Sequence, residues 1–130
     1  MKQHVLLVDD DKEEMEILTE ALYKVAVNFK CTWAKGSFHA LQIIKYIKPD
    51  IIFIDYLMPK MDGITCIKTI RQLPGYDKVP LILYSNLIDD RIFTEALTAG
   101  VTTCLRKTAN FNELCENLNE LFKKASVPFN

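Results

Sequence analysis

The most constraining feature of this chain is a set of short apolar runs that do not alternate. Residues 5–8 read Val-Leu-Leu-Val, 51–54 read Ile-Ile-Phe-Ile, and 79–84 read Val-Pro-Leu-Ile-Leu-Tyr. A strand with one wet face alternates apolar and polar residues. A strand that is apolar on nearly every residue is covered on both faces, as in a parallel sheet held between two layers of helix. Two further runs, 29–34 and 101–105, bring the set to five.

Helical spacing fills the intervals. Ile17, Leu18, Ala21 and Leu22 form one stripe, and Ala40, Ile43, Ile44 and Ile47 a second. Ile64, Ile67 and Ile70 follow, then Ile92, Phe93, Ala96 and Leu97. Phe111, Leu114, Leu118, Leu121 and Phe122 make the cleanest stripe. Punctuation agrees: Asn110 with Glu113 suggests an Asn-led capping box, Gly100 marks a helix C-terminus, and Pro49 ends the second helix. Strand and helix alternate five times, which predicts an α/β fold of the (βα)5 type. Right-handed crossovers then give a doubly wound, five-stranded parallel sheet with the flavodoxin-like order 2-1-3-4-5.

The length of 130 residues suits one domain. We expect that domain to occupy residues 1–124, with 125–130 a short tail and no output domain. Lys and Arg number 16 against 17 acids, for a net charge of −1. That balance argues against bulk electrostatic attraction to nucleic acid or an anionic membrane. Only four apolar residues separate the N-terminal Met-Lys-Gln-His from a run of acids, too few for a signal peptide or a membrane span. A cytoplasmic location is expected. Cys31, Cys66, Cys104 and Cys115 form no C-x-x-C pair, and small buried thiols in a reducing compartment account for them.

In such a sheet, ligands sit beyond the carboxyl ends of the strands, where the strand order reverses. Asp9, Asp10 and Asp11 follow the first run and Asp55 follows the third, whereas Asp50 precedes that same run and belongs to the opposite edge. Strands one and three are neighbours, so Asp9, Asp10 and Asp55 converge. Two carboxylates 4 Å apart repel by about 4 kcal/mol at an effective dielectric of 20. A hard divalent cation removes that repulsion, and a small oxygen-lined site with few protein ligands favours Mg²⁺. One of the three successive acids, Asp11, is expected simply to cap the first helix. Ser85 and Lys107 close the fourth and fifth runs, adding a hydroxyl and an ammonium suited to a multi-oxygen anion.

Val8-Asp9-Asp10-Asp11, Asp55-Tyr-Leu-Met-Pro-Lys-Met-Asp-Gly63, Tyr84-Ser85-Asn86 and Leu105-Arg106-Lys107 together resemble the receiver domain of bacterial two-component response regulators. The likeness runs from about Gln3 to Lys123, and D-x-x-M-P-x-M-D-G after a buried strand is its most specific part. The resemblance implies that Asp55 takes a phosphoryl group from a sensor histidine kinase or a phosphotransfer protein. It implies Mg²⁺ bound by Asp10 and Asp55, by Asp9 through a water, and by the Leu57 backbone carbonyl. Lys107 and Ser85 would meet phosphoryl oxygens, and a downstream protein would dock on the face of helix 4, strand 5 and helix 5. Neither nucleic acid nor membrane is an expected partner, and no enzyme activity beyond self-catalysed phosphorylation and dephosphorylation is implied.

The chain departs from the family pattern at two places. Receiver domains carry Tyr or Phe three residues before the lysine, where this chain has Cys104, and Lys-Pro after it, where this chain has Lys107-Thr108. Without proline a cis bond costs several kcal/mol more, so a trans bond is expected at 107–108. The two changes leave the chemistry in place but unsettle the usual output route. Three outcomes follow: neutral drift in an unused surface, signalling by movement of residues 85–90 and the fourth helix, or an adaptor that acts without phosphorylation. Leu57 and Leu87 flank the expected path of an attacking water and cannot orient it, which predicts a long-lived phosphoryl group. A haloacid-dehalogenase reading fits poorly, because the best nucleophile follows the third strand. Nucleotide-binding glycine motifs are absent.

Overall fold

A computed structural model describes residues 3–26 and 28–124, so the proposed tail lies outside the described residues. Strands and helices alternate as β1 (Gln3–Val8), α1 (Lys12–Val25), β2 (Phe29–Ala34), α2 (Ser37–Ile43) and β3 (Ile51–Ile54). They continue as α3 (Gly63–Arg71), β4 (Leu81–Ser85), α4 (Asp90–Ala99), β5 (Thr103–Arg106) and α5 (Phe111–Lys124). All neighbouring strands are parallel, in the order β2-β1-β3-β4-β5.

The missing alternation in the central runs has a direct cause. Leu6, Val8, Ile52, Ile54, Leu81 and Leu83 pack on one side of the sheet with residues of α2, α3 and α4. Val5, Leu7, Ile51, Phe53, Ile82 and Tyr84 pack on the other with α1 and α5. Successive side chains do point to opposite faces, but both faces are dry. The edge strands β2 and β5, each paired on one side only, are mixed in burial.

Several expectations shift in detail. β4 starts at Leu81, two residues later than the apolar run, because Pro80 has no N–H for the ladder; its carbonyl still accepts from Ile52 N at 3.0 Å. Helix α2 stops at Ile43 with Ile44 as its cap, so Ile47 and Pro49 lie beyond its end. Only half of the α4 stripe is core: Ile92 and Ala96 are buried, while Phe93 and Leu97 are 42% and 48% exposed. In α1, Met15 is buried where the expected Ile17 is exposed. Of the thiols only Cys66 is buried, and Cys31, Cys104 and Cys115 are half-buried.

The expected capping box is half made. The Asn110 side chain accepts from Glu113 N at 3.0 Å, but the reciprocal partner is Thr108, whose hydroxyl accepts from Asn110 N at 3.2 Å. Gly100 does end α4, in the left-handed conformation at φ 109. The Arg71 guanidinium packs against it and donates to the carbonyls of Gly100, Tyr76 and Val79 at 2.6–2.7 Å. One side chain at the end of α3 thus holds the loops entering β4 and β5.

Candidate functional site

Asp9 and Asp55 are placed by continuation of the ladder past the ends of β1 and β3. Asp9 N donates to Ala34 O at 3.1 Å, and Asp55 N donates to Val8 O at 2.9 Å. Both carboxylates are buried, and Asp10 beside them is exposed. One oxygen from each of Asp9, Asp10 and Asp55 lies within 4.8 Å of the others. Asp11 is the expected helix cap: its side chain accepts from Glu13 N at 2.9 Å and Glu14 N at 3.4 Å. Asp50 lies at the far edge, accepting from His4 N at 2.7 Å.

Lys107 stands among these acids. Its ammonium is 2.9 Å from Asp9 Oδ2, 3.6 Å from Asp55 Oδ1 and 3.9 Å from Glu14 Oε2, and its side chain is only 7% exposed. It also lies 5.3 Å over the Tyr84 ring, which itself meets Phe53 edge-on. Burial disfavours the ammonium, but the hydrogen bond to Asp9 and the charges of Asp55, Asp9 and Glu14 outweigh it and raise its pKa.

Asp55 is under the opposite stress. Burial, then the neighbouring Asp9, push its pKa from 3.8 to about 6, against the pull of Lys107 and of the Tyr56 N–H donated to Oδ1 at 2.8 Å. Asp10 adds a smaller push in the same direction. The site therefore holds more negative charge than one lysine offsets.

The loop after Asp55 explains its own sequence. A Cβ at position 63 would stand 2.1 Å from the Asp55 carbonyl oxygen, so only glycine lets α3 begin this close to the Asp55 backbone. Gly63 N donates to Tyr56 O at 2.8 Å, and Asp62 caps α3 by accepting from Thr65 N at 2.8 Å. Lys60 holds a left-handed turn at φ 73. Met58 and Met61 pack onto the core on the α3 side.

The remaining expected residues are near but differently engaged. Ser85 is buried at the end of β4, and its hydroxyl accepts from Leu87 N at 3.3 Å. Its carbonyl accepts from Lys107 N at 3.0 Å, tying the exits of β4 and β5 together. Leu57 follows Asp55 by two residues and is 59% exposed. The 107–108 bond is trans, with no cis peptide among the described residues. Cys104 packs against the core at its margin.

Four participants escaped the sequence reading. Glu14, in the first turn of α1, could have been found by its place just past the Asp11 cap. Tyr84, under Lys107, is the penultimate residue of β4. Trp33 donates its indole N–H to Asp9 O, and Arg106 donates to the carbonyls of Asn86 and Ile88. Neither contact leaves a local mark in the sequence.

With strand order, acid trio and buried lysine in place, the family follows. The response regulator receiver domain matches residues 5–119. This chain belongs to the response regulator receiver domain family. The receiver is 31% identical over 121 residues to the cyclic di-GMP phosphodiesterase response regulator RpfG of Xanthomonas campestris, covering 91% of this chain and 32% of that protein. It is 29% identical to the transcriptional regulatory protein CpxR homolog of Haemophilus influenzae, covering 97% of this chain and 53% of that protein. The chain thus spans about a third to a half of the length of these relatives. Among solved structures, the phosphorylated cyanobacterial phytochrome response regulator RcpA shares the fold with a TM-score of 0.87 at 20% identity, covering 100% and 98% of the two chains. The receiver is also similar to the response regulator domain of Thermotoga maritima CheB, with a TM-score of 0.82 at 25% identity and 96% of each chain covered. No helix among the described residues is long and apolar enough to cross a membrane.

Proposed function

We propose that Asp55 is the phosphoacceptor of this receiver and takes its phosphoryl group from the phosphohistidine of a sensor histidine kinase or a phosphotransfer protein. The observation that carries this reading is the convergence of Asp9, Asp10 and Asp55 within 4.8 Å, with the Lys107 ammonium buried among them. The donor set is all hard oxygen and carries surplus negative charge, which fits Mg²⁺. Asp10 and Asp55 would hold the ion directly, Asp9 through a water, and the Leu57 carbonyl would add a neutral oxygen. When bound, Mg²⁺ supplies positive charge against the transferring phosphoryl oxygens.

An Asp55 carboxylate oxygen forms the new bond to phosphorus as the phosphorus–nitrogen bond to histidine breaks. The electron pair stays on the imidazole nitrogen, which takes up a proton. Lys107 is placed to exchange part of its contact with Asp55 for a phosphoryl oxygen while keeping its bond to Asp9. The Ser85 hydroxyl, held by one long hydrogen bond, is free to rotate and donate. Hydrolysis by water returns the Asp55 carboxylate and inorganic phosphate. Apart from this self-catalysed cycle we assign no enzyme activity to residues 1–124.

The downstream partner docks, on this reading, at the α4–β5–α5 face, which exposes Phe93 and Leu97 and carries a groove of about 340 Å³ bordered by Cys104, Leu105 and Leu121. Four unpaired cysteines suit a reducing, cytoplasmic setting. Incubation with acetyl phosphate tests the core of the proposal. Intact-mass spectra should show one added phosphoryl group per chain, requiring Mg²⁺ and lost in Asp55→Asn. An absent adduct would favour an adaptor that works without phosphorylation, and a Mg²⁺-independent one would overturn the part given to the metal.

A further inference from the structure

Trp33 is the single tryptophan of the chain, and the phosphoryl-transfer reading gives it no task. It is in register with Leu7 on the edge strand β2 and packs on the α1 side of the sheet. Its indole Nε1–H donates to the Asp9 carbonyl oxygen at 2.8 Å. That carbonyl is the first one past the end of β1. The strand β2 ends at Ala34 and the chain turns into α2, so the indole stands where a further rung of the ladder would have supplied a donor.

With this bond every polar atom of Asp9 is held. Its N–H donates to Ala34 O at 3.1 Å, and its carbonyl accepts from Trp33. Oδ1 accepts from Asp11 N and Oδ2 from Lys107 Nζ, both at 2.9 Å. The carbonyl also belongs to the planar peptide that joins Asp9 to Asp10. Anchoring its oxygen fixes the direction in which the chain reaches the Asp10 Cα. This matters because Asp10 is the exposed member of the acid trio and burial does not hold it.

We propose that Trp33 is a positioning residue for the Mg²⁺ site: its N–H anchors the 9–10 peptide and so keeps the Asp10 carboxylate beside Asp9 and Asp55. The inference rests on reading those three acids as the Mg²⁺ site. A ring that merely packed would act through its shape; a positioning residue acts through its N–H. Partners that orient metal ligands in this way change metal affinity by roughly 10- to 100-fold when lost, and one neutral bond to a backbone oxygen belongs near the low end.

The experiment replaces Trp33 with 3-benzothienylalanine, which keeps the bicyclic shape and substitutes sulfur for N–H, and compares it with Trp33→Phe and Asp10→Asn. Calorimetric titration with Mg²⁺ should show affinity about 5- to 10-fold weaker in the benzothienyl protein. Its unfolding midpoint in chelator should fall only slightly, as the loss of one neutral hydrogen bond entails, and by less than that of Trp33→Phe, which also loses packing. The fluorescence of Trp33 in the unaltered chain should change with the calorimetric midpoint. Wild-type Mg²⁺ affinity in the benzothienyl protein overturns the role of Trp33 alone. Absence of Mg²⁺ binding in the unaltered chain, or undiminished binding in Asp10→Asn, overturns the metal site and this inference with it.

Discussion

Replacing Asp55 with asparagine removes a charge that the fold resists, so the variant should be more stable than the parent when no metal is present. Burial and Asp9 raise the Asp55 pKa from 3.8 to about 6. At about 1.4 kcal/mol per unit, that gap corresponds to about 3 kcal/mol. Asp55 keeps partial access to solvent, and screening reduces the figure to about 1–2 kcal/mol. The sign follows from proton linkage. The folded state holds the Asp55 proton more tightly than the unfolded chain does, so this group favours folding below 3.8 and loses that contribution as pH rises through about 6. Asparagine cannot titrate, and its advantage should be full above about pH 6 and fade toward zero near the unfolded pKa of 3.8. Urea unfolding in chelator, repeated across this range, measures it. Excess Mg²⁺ should reverse the order, because only the parent gains the full binding free energy. A variant less stable than its parent above pH 6 without metal, or a difference that ignores pH, would refute the charge-crowding argument.

Other predictions test neighbouring parts of the account. Gly63→Ala should cost about 3 kcal/mol or fail to fold, since its Cβ would meet the Asp55 carbonyl at 2.1 Å; an unchanged urea midpoint would contradict the close approach. Lys60→Gly relieves a left-handed residue at φ 73 and should raise stability by about 0.5–1 kcal/mol after the entropy cost of glycine, read in the same assay. On the expectation that Leu57 and Leu87 flank the path of an attacking water, Leu57→Asn with Leu87→Gln should shorten the life of an Asp55 phosphoryl group several-fold, followed by loss of label; equal decay rates would dismiss the two leucines as protectors. Arg106→Ala frees the carbonyls of Asn86 and Ile88, and amide exchange in residues 86–88 should quicken without change in β1 or β3.

What the sequence disclosed was whatever depends on local order. Continuous apolar runs at 5–8 and 51–54 reveal two dry faces without any tertiary information, and a parallel doubly wound sheet follows. The aspartates after β1 and β3 then sort themselves by the strand-end rule, which separates Asp9, Asp10 and Asp55 from Asp50. The burial of Lys107 was illegible, because a lone lysine reads as surface until Asp9, Asp55 and Tyr84 surround it. Trp33 and Arg106 act on backbone carbonyls, which every residue carries, so their partners leave no trace in residue type. The exposed Phe93 and Leu97 show the opposite limit: helical spacing finds an apolar stripe but cannot say how wide a strip the sheet covers. Thr108 replaces both the family proline and the reciprocal member of the expected capping box, a double use visible only in three dimensions.

The central claim is that one carboxylate, Asp55, receives the phosphoryl group. Trapping the acyl phosphate with borohydride after acetyl phosphate treatment converts the modified aspartate to homoserine, which peptide mass spectrometry locates. The account predicts Mg²⁺-dependent homoserine at position 55 and at no other aspartate. Homoserine at position 9 or 10, or none under conditions where a known receiver is labelled, would contradict it.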